Sequence, residues 1–324
     1  MLIAGGDRYD RIASWGGVTT SLDGLTWTAP TDPFTVRAKV TGITHGPDLI
    51  MAVSDSGLVS VTPSDFKSWN CSKIWEGDLA AMSVAYGTDL VGHDGIYMMC
   101  GQGKFITAQS IYDTMDEAGL IFSNMSGNNA DWRMIYAHDE VDSRFYNIRR
   151  ITNPIVDAWV AVGSVGSKPL AIYSLDNGVS WERVYFPELT AMKFAYDVVW
   201  NEGYFWFTVN GMILNTPSLD APIWGASPDI KPKYGSADLN KIAANPAGHM
   251  VAVCSGGLVY STDCVGWTLF SPPGYRFRSI IWHMDRWIAG AESNLTQYTY
   301  WHSRDTINWI PGNNAVQAYD FVKV

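Results

Sequence analysis

Apolar runs of four to six residues recur from one end of the chain to the other, separated by short polar turns rich in Gly, Asn, Asp and Ser. That pattern predicts short antiparallel strands rather than helices. Residues 239–270 show it most legibly. Leu239–Ala244 predicts a first strand and Asn245–Gly248 a turn; His249–Cys254 is apolar enough to be a second strand buried on both faces, Leu258–Ser261 is a third, and Trp267–Phe270 a fourth. Connections this short make a four-stranded meander. The same phrase gives first strands at Val40–His45, Met82–Tyr86, Arg149–Asn153, Tyr196–Trp200 and Arg278–Trp282. It gives second strands at Leu49–Val53, Ile96–Cys100, Ala158–Val162, Tyr204–Thr208 and Trp287–Gly290.

Between third and fourth strands lies a repeated motif, clearest in Ser174-Leu-Asp176-Asn-Gly178-Val-Ser-Trp181. Copies one residue shorter are Ser21-Leu-Asp23-Gly-Leu-Thr-Trp27, Ser261-Thr-Asp263-Cys-Val-Gly-Trp267 and Ser303-Arg-Asp305-Thr-Ile-Asn-Trp309. Weaker copies carry Asp65 and Trp69, Trp132, and Asp220 and Trp224. The tryptophans are 42, 63, 49, 43, 43 and 42 residues apart, a period of one four-stranded propeller blade. At the ends, Met1–Gly6 aligns with a second strand and Tyr319–Val324 with a first strand. Joining them completes a seventh blade and removes open sheet edges. The expectation is an all-β, seven-bladed β-propeller in a single domain, 1–324. Its blade 1 is 316–324 plus 1–33, followed by blades at 38–76, 79–138, 145–187, 192–228, 237–272 and 276–313.

Composition narrows the partners. A net charge of −10 disfavours nucleic acid, whose phosphates need a basic face. No apolar run approaches the length that spans a bilayer, and Met1–Asp7 lacks the basic and apolar regions of a secretory signal. Cys71, Cys100, Cys254 and Cys264 have no metal-site or disulfide spacing and read as buried thiols. Seven of the fifteen tryptophans belong to the motif; Trp75, Tyr298, Tyr300 and Trp301 are either core or interface.

The motif copies resemble Asp-box repeats, also called BNR repeats, whose S-x-D-x-G-x-T-W turn occurs in sialidases and many other propellers. Residues 174–181 fit the full pattern. The resemblance implies the fold and a structural role for the motif, because Asp boxes lie away from the active sites of the enzymes that have them. A sialidase-like site would add an arginine triad, a Tyr/Glu nucleophile pair and an Asp acid/base. The family's Arg-Ile-Pro signature is absent, since Arg11-Ile12 is followed by Ala13.

Aligning the predicted first strands places Arg149, Lys241 and Arg278 at equivalent positions beside Tyr196 and Tyr319, a candidate binding face for a carboxylate or acidic sugar. Asp94, Asp139, Glu140, Asp142 and Asp197 form no distinguishable catalytic pair. The histidines at 45, 93, 138, 249, 283 and 302 show no metal-ligand spacing, so neither metal nor cofactor is expected. Long connections at Asp7–Trp15, Gly103–Gly119 and Ala291–Gln297 are further binding candidates. The expectation is therefore a non-enzymatic binding propeller. The phrase Ser21–Thr28 resembles those of phage tail fibre, tail-tip and nozzle proteins. That resemblance implies a virion component, assembled in the host cytoplasm, whose partners are other tail proteins or a host surface receptor, glycan included. The alternatives are a sialidase-like glycan-binding protein or hydrolase, and a cellular assembly factor resembling the propeller that helps assemble photosystem II.

Overall fold

A computed structural model describes residues 1–10, 13–64, 66, 68–74, 79–88, 95–105, 116–153, 155–189, 194–226, 238–293, 299–313 and 317–324. The chain is an all-β, seven-bladed β-propeller of four-stranded antiparallel blades. It divides into two compact units, residues 33–195 and residues 1–32 with 196–324.

The first unit holds blade 2 (Val40–His45, Leu49–Ser54, Leu58–Pro63, Asn70–Lys73), blade 3 (Leu79–Gly87, Ile96–Phe105, Asp116–Asn124, Arg133–Ala137) and blade 4 (Ser143–Thr152, Asp157–Val165, Lys168–Ser174, Glu182–Arg183). The second holds blade 5 (Ala195–Asn201, Tyr204–Val209, Met212–Thr216, Gly225–Ala226), blade 6 (Leu239–Ala244, Met250–Cys254, Gly257–Ser261, Thr268–Phe270) and blade 7 (Tyr275–His283, Arg286–Ser293, Thr299–Ser303, Ile310–Asn313). It also holds blade 1, where Gln317–Lys323 pairs with Leu2–Asp10, which pairs with Ala13–Ser21. The fourth segment of blade 1 is held by the single bridges Val18↔Thr31 and Ser21↔Trp27.

Second strands are buried on both faces, as their unbroken apolar runs demand: Met250–Cys254 is buried throughout. Cores form between neighbouring blades. Val251, Val253 and Leu258 of blade 6 pack with Phe277, Trp287 and Trp301 of blade 7, and Met98, Cys100 and Ile121 of blade 3 pack with Trp159, Ala161 and Ile172 of blade 4. Tyr300 and Trp301 are core residues, 4% and 8% exposed. Trp75 and Tyr298 lie outside the described residues. Cys100 and Cys254 are buried, but Cys71 and Cys264 are half-buried, so only two of the four thiols match the reading as buried.

The Ser-x-Asp turns share one hydrogen-bond scheme. In the first, Ser21 Oγ donates to Asp23 Oδ1 at 3.0 Å and accepts from the Gly24 N–H at 2.8 Å, while Asp23 Oδ1 accepts the N–H groups of Leu25 and Thr26, each at 2.8 Å. Asp305 repeats this with Ile307 and Asn308, and Asp263 with Val265 and Gly266. Asp176 spans the longer loop to Ser180. In blade 3 an Asn124 carboxamide replaces the serine, accepting from Gly127 at 2.8 Å, and in blade 5 Ser218 donates to Asp220. Asp65 lies outside the described residues.

Each turn then delivers a tryptophan, most of them to a blade core. Trp27 meets Tyr300 edge-on at 5.9 Å, Trp181 meets Tyr136 at 6.0 Å and Trp309 meets Phe270 at 6.1 Å. Trp267 packs into the core shared by blades 5 and 6, and Trp132 against the one shared by blades 2 and 3. Trp224 contacts Phe207, and Trp69 contacts Phe66.

Two features differ from the sequence reading. Asp7–Trp15 is largely not a loop, because Asp7↔Gly16 through Asp10↔Ala13 extend the hairpin of blade 1. Likewise Gly103–Phe105 and Asp116–Gly119 continue paired strands, and Ala291–Ser293 continues a strand of blade 7; residues 106–115 and 294–298 lie outside the described residues. The second difference is a bulge in the inner strand of six blades, at Thr41, Met82, Tyr146, Asn240, Arg278 and Tyr319. A bulge adds one unpaired residue and re-aims the side chains around it.

Candidate functional site

The bulges fix the register of the candidate binding residues. Arg278 and Tyr319 are both bulge residues, and Tyr196 holds the matching place in the burial pattern of Ala195–Asn201. Lys241 lies one residue past the bulge of blade 6, and Arg149 three past that of blade 4. The expected equivalence of Arg149, Lys241 and Arg278 therefore fails. The first strand of blade 4 begins at Ser143, six residues before Arg149, so an alignment anchored on apolar residues slips past the bulge.

Within the second unit the structure gathers a polar cluster from blades 7 and 1. Tyr319 Oη donates to Asp7 Oδ2 at 3.2 Å, and Asp7 is only 4% exposed. Arg278 Nη2 donates to Glu292 Oε2 at 3.2 Å. One residue past the bulges, Lys241 Nζ lies 3.9 Å from Asp320 Oδ1, both side chains largely buried. Ser279 Oγ donates to the Ala318 carbonyl at 2.7 Å, tying the two inner strands together. Gly290 makes this approach possible: a Cβ there would lie 2.5 Å from Ser279 Oγ and 2.7 Å from the Ala318 oxygen.

Burial pushes the Tyr319 phenol well above its usual range, and the Asp7 carboxylate adds to the shift, with Arg278 opposing it. Tyr319 is thereby held as a neutral hydrogen-bond donor, the opposite of the lowered pKa that activates a nucleophile. The cluster offers fixed donors and acceptors of both charges to a polar ligand. Sequence reading named Arg278 and Tyr319 singly and took Asp7 and Glu292 only as parts of candidate loops; it did not bring Asp7 to Tyr319, 312 residues away, or Glu292 to Arg278. The one available signal was the aromatic–acid–cation mixture at the two chain ends.

Asp197, considered as a catalytic acid, is fully buried; Oδ1 accepts the Val198 N–H at 2.8 Å and Oδ2 the Ile242 N–H of blade 6 at 2.9 Å. It joins two blades. Asp94 lies outside the described residues. A second group that spacing rules missed is His138, Asp139 and Glu140, whose ligand atoms lie within 4.8 Å of one another. Three consecutive residues match none of the usual metal motifs, and their convergence depends on how the backbone leaves the outer strand of blade 3.

No protein-family model matches the chain, and no curated protein matches its sequence. Its likeness is to solved structures. It is similar to YCF48 from Cyanidioschyzon merolae, with TM-score 0.59 and 14% identity over 86% of this chain and 88% of that one. It is similar to YCF48 bound to D1 peptide, with TM-score 0.57 and 17% identity over 88% of each chain. It also resembles the extracellular domain of the putative one-component system BT4673 from B. thetaiotaomicron, with TM-score 0.59 and 10% identity over 99% of this chain and 46% of that one. At such identities the likeness concerns the fold alone. Among the described residues, no helix is long and apolar enough to cross a membrane.

Proposed function

We propose that the chain is a non-catalytic propeller that binds an extended polar segment of a protein partner and holds it in an assembly. The observation that carries this reading is the Asp7–Arg278–Glu292–Tyr319 cluster, in which strands of two blades present mutually restrained, partly buried polar groups. Restraint before binding lowers the ordering cost of association. The solved structure of YCF48 with a D1 peptide, in a similar fold, supports peptide capture as a use for such a body.

The setting we favour is a phage virion, on the phrase Ser21–Thr28, which resembles those of tail components. Quantitative mass spectrometry of purified particles tests the setting, and cross-linking of those particles tests the site. A stoichiometric chain whose cross-links map beside Arg278 and Glu292, with assembly impaired in Arg278→Ala, supports both. Absence from particles rejects the virion setting. Normal assembly with Arg278→Ala and Asp7→Asn combined rejects the site.

A further inference from the structure

His138 stands where the chain leaves the outer strand of blade 3, its N–H donating to the Gly119 carbonyl at 2.9 Å. The turn behind it is pinned by the Asp142 N–H on the Glu117 carbonyl at 3.0 Å. The imidazole is 4% exposed, wedged against Phe145 at 6.4 Å. Its Nδ1 lies 2.9 Å from Tyr136 Oη, but its buried Nε2 has no hydrogen-bond partner. A buried ring nitrogen without a partner calls for an explanation.

The nearest candidate acceptor, Glu140 Oε1, is 3.6 Å from Nε2, too far for a hydrogen bond. At zinc–ligand bond lengths of about 2.0–2.1 Å, however, two ligands of one tetrahedral ion lie about 3.3 Å apart. Asp139, almost wholly exposed, places Oδ1 3.8 Å from Nδ1 on the other side of the ring, and one ligand atom from each of the three residues lies within 4.8 Å of the others, so Asp139 reaches an ion on Nε2 only by a side-chain rotation. The surroundings match those of a metal site as well. Tyr136 holds the far ring nitrogen, which fixes how Nε2 is presented, and Arg183 Nη1 donates to Glu140 Oε1 at 2.6 Å, holding that carboxylate in place.

We propose that His138 Nε2, Glu140 and Asp139 form a binding site for one divalent transition-metal ion of the zinc class, with water completing its coordination. Imidazole nitrogen with two carboxylates suits zinc, nickel or copper and disfavours calcium, which takes oxygen ligands. The Arg183 guanidinium beside Glu140 weakens the site without closing it.

The test is isothermal titration calorimetry of the full chain, stripped with a chelator, using zinc chloride and calcium chloride as separate titrants. The expected result is one zinc ion per chain, no calcium at the same concentration, and at least tenfold weaker zinc binding in both His138→Gln and Glu140→Gln. Glu140 is half exposed, so its variant keeps the test informative if His138→Gln fails to fold by circular dichroism. No zinc uptake by the parent chain overturns the proposal, as does uptake unchanged in Glu140→Gln, which would assign the ion to other groups such as Cys71 or Cys264.

Discussion

At the scale of the residue, the Ser-x-Asp turn stabilises through charge placed against backbone donors. The N–H groups of Thr26 and Leu25 hold the Asp23 carboxyl down at about 2, and the backbone and side-chain N–H groups of Asn308 do the same for Asp305, although both carboxylates face water. Because the folded values lie below the ordinary 3.8, both groups contribute stability above that pH and lose it as the pH falls through about 2. The double variant Asp23→Asn, Asp305→Asn should therefore show a flatter dependence of Tm on pH between pH 4 and 2 than the parent. Solvent screening keeps the effect small. At neutral pH, Asp305→Ala should cost about 1 kcal/mol, as for the loss of a capping carboxylate, read from chemical denaturation. These turns were legible in the sequence because every bond in them closes within five residues, so residue identity alone sets the geometry.

At the scale of the element, the inner strands join neighbouring blades through the residue just past the bulge. Asp197 reaches the Ile242 N–H, Ser83 Oγ donates to Asn147 Oδ1 at 2.6 Å, and in blade 7 Ser279 does the equivalent. None of this was legible, because a bulge leaves no mark in an apolar pattern and shifts everything before it by one residue. Arg278 sits at its bulge, Lys241 one residue and Arg149 three residues past theirs, so the three were misaligned because the start of each inner strand, Ser143 in blade 4 above all, was not legible, while the apolar second strands were read in register. Asp197→Ala should strand two buried N–H donors, at about 1–3 kcal/mol for each left unsatisfied. Asp197→Asn, which keeps one acceptor, should fall between parent and alanine variant in midpoint denaturant concentration. Equal stability of all three would mean that water or backbone shifts replace the carboxylate, and that these contacts do not hold the blades together.

At the scale of the whole molecule, blade 1 is built from both ends of the chain. Leu2 pairs with Lys323 and Asp7 with Gln317, and Ala318 and Phe321 pack with Leu2, Ala4, Ile288 and Tyr300 in the core shared with blade 7. This closure was legible because Met1–Gly6 aligns with a second strand and Tyr319–Val324 with a first strand; the cluster of Asp7 and Tyr319 that it creates was not, since nothing local links the two residues. Deleting 317–324 would remove the inner strand of blade 1 together with Tyr319, leaving the edge of Leu2–Asp7 unpaired. An unpaired edge of that length templates association. The truncated chain should elute from size exclusion as aggregates and unfold over a broader range than the parent. Phe321→Ala, a change confined to the core of that blade, should stay monomeric and cooperative while losing about 3–5 kcal/mol. If the truncated chain instead stays monomeric with an unchanged transition, the closing strand contributes little to the fold, and its remaining role would be to carry Tyr319 to Asp7.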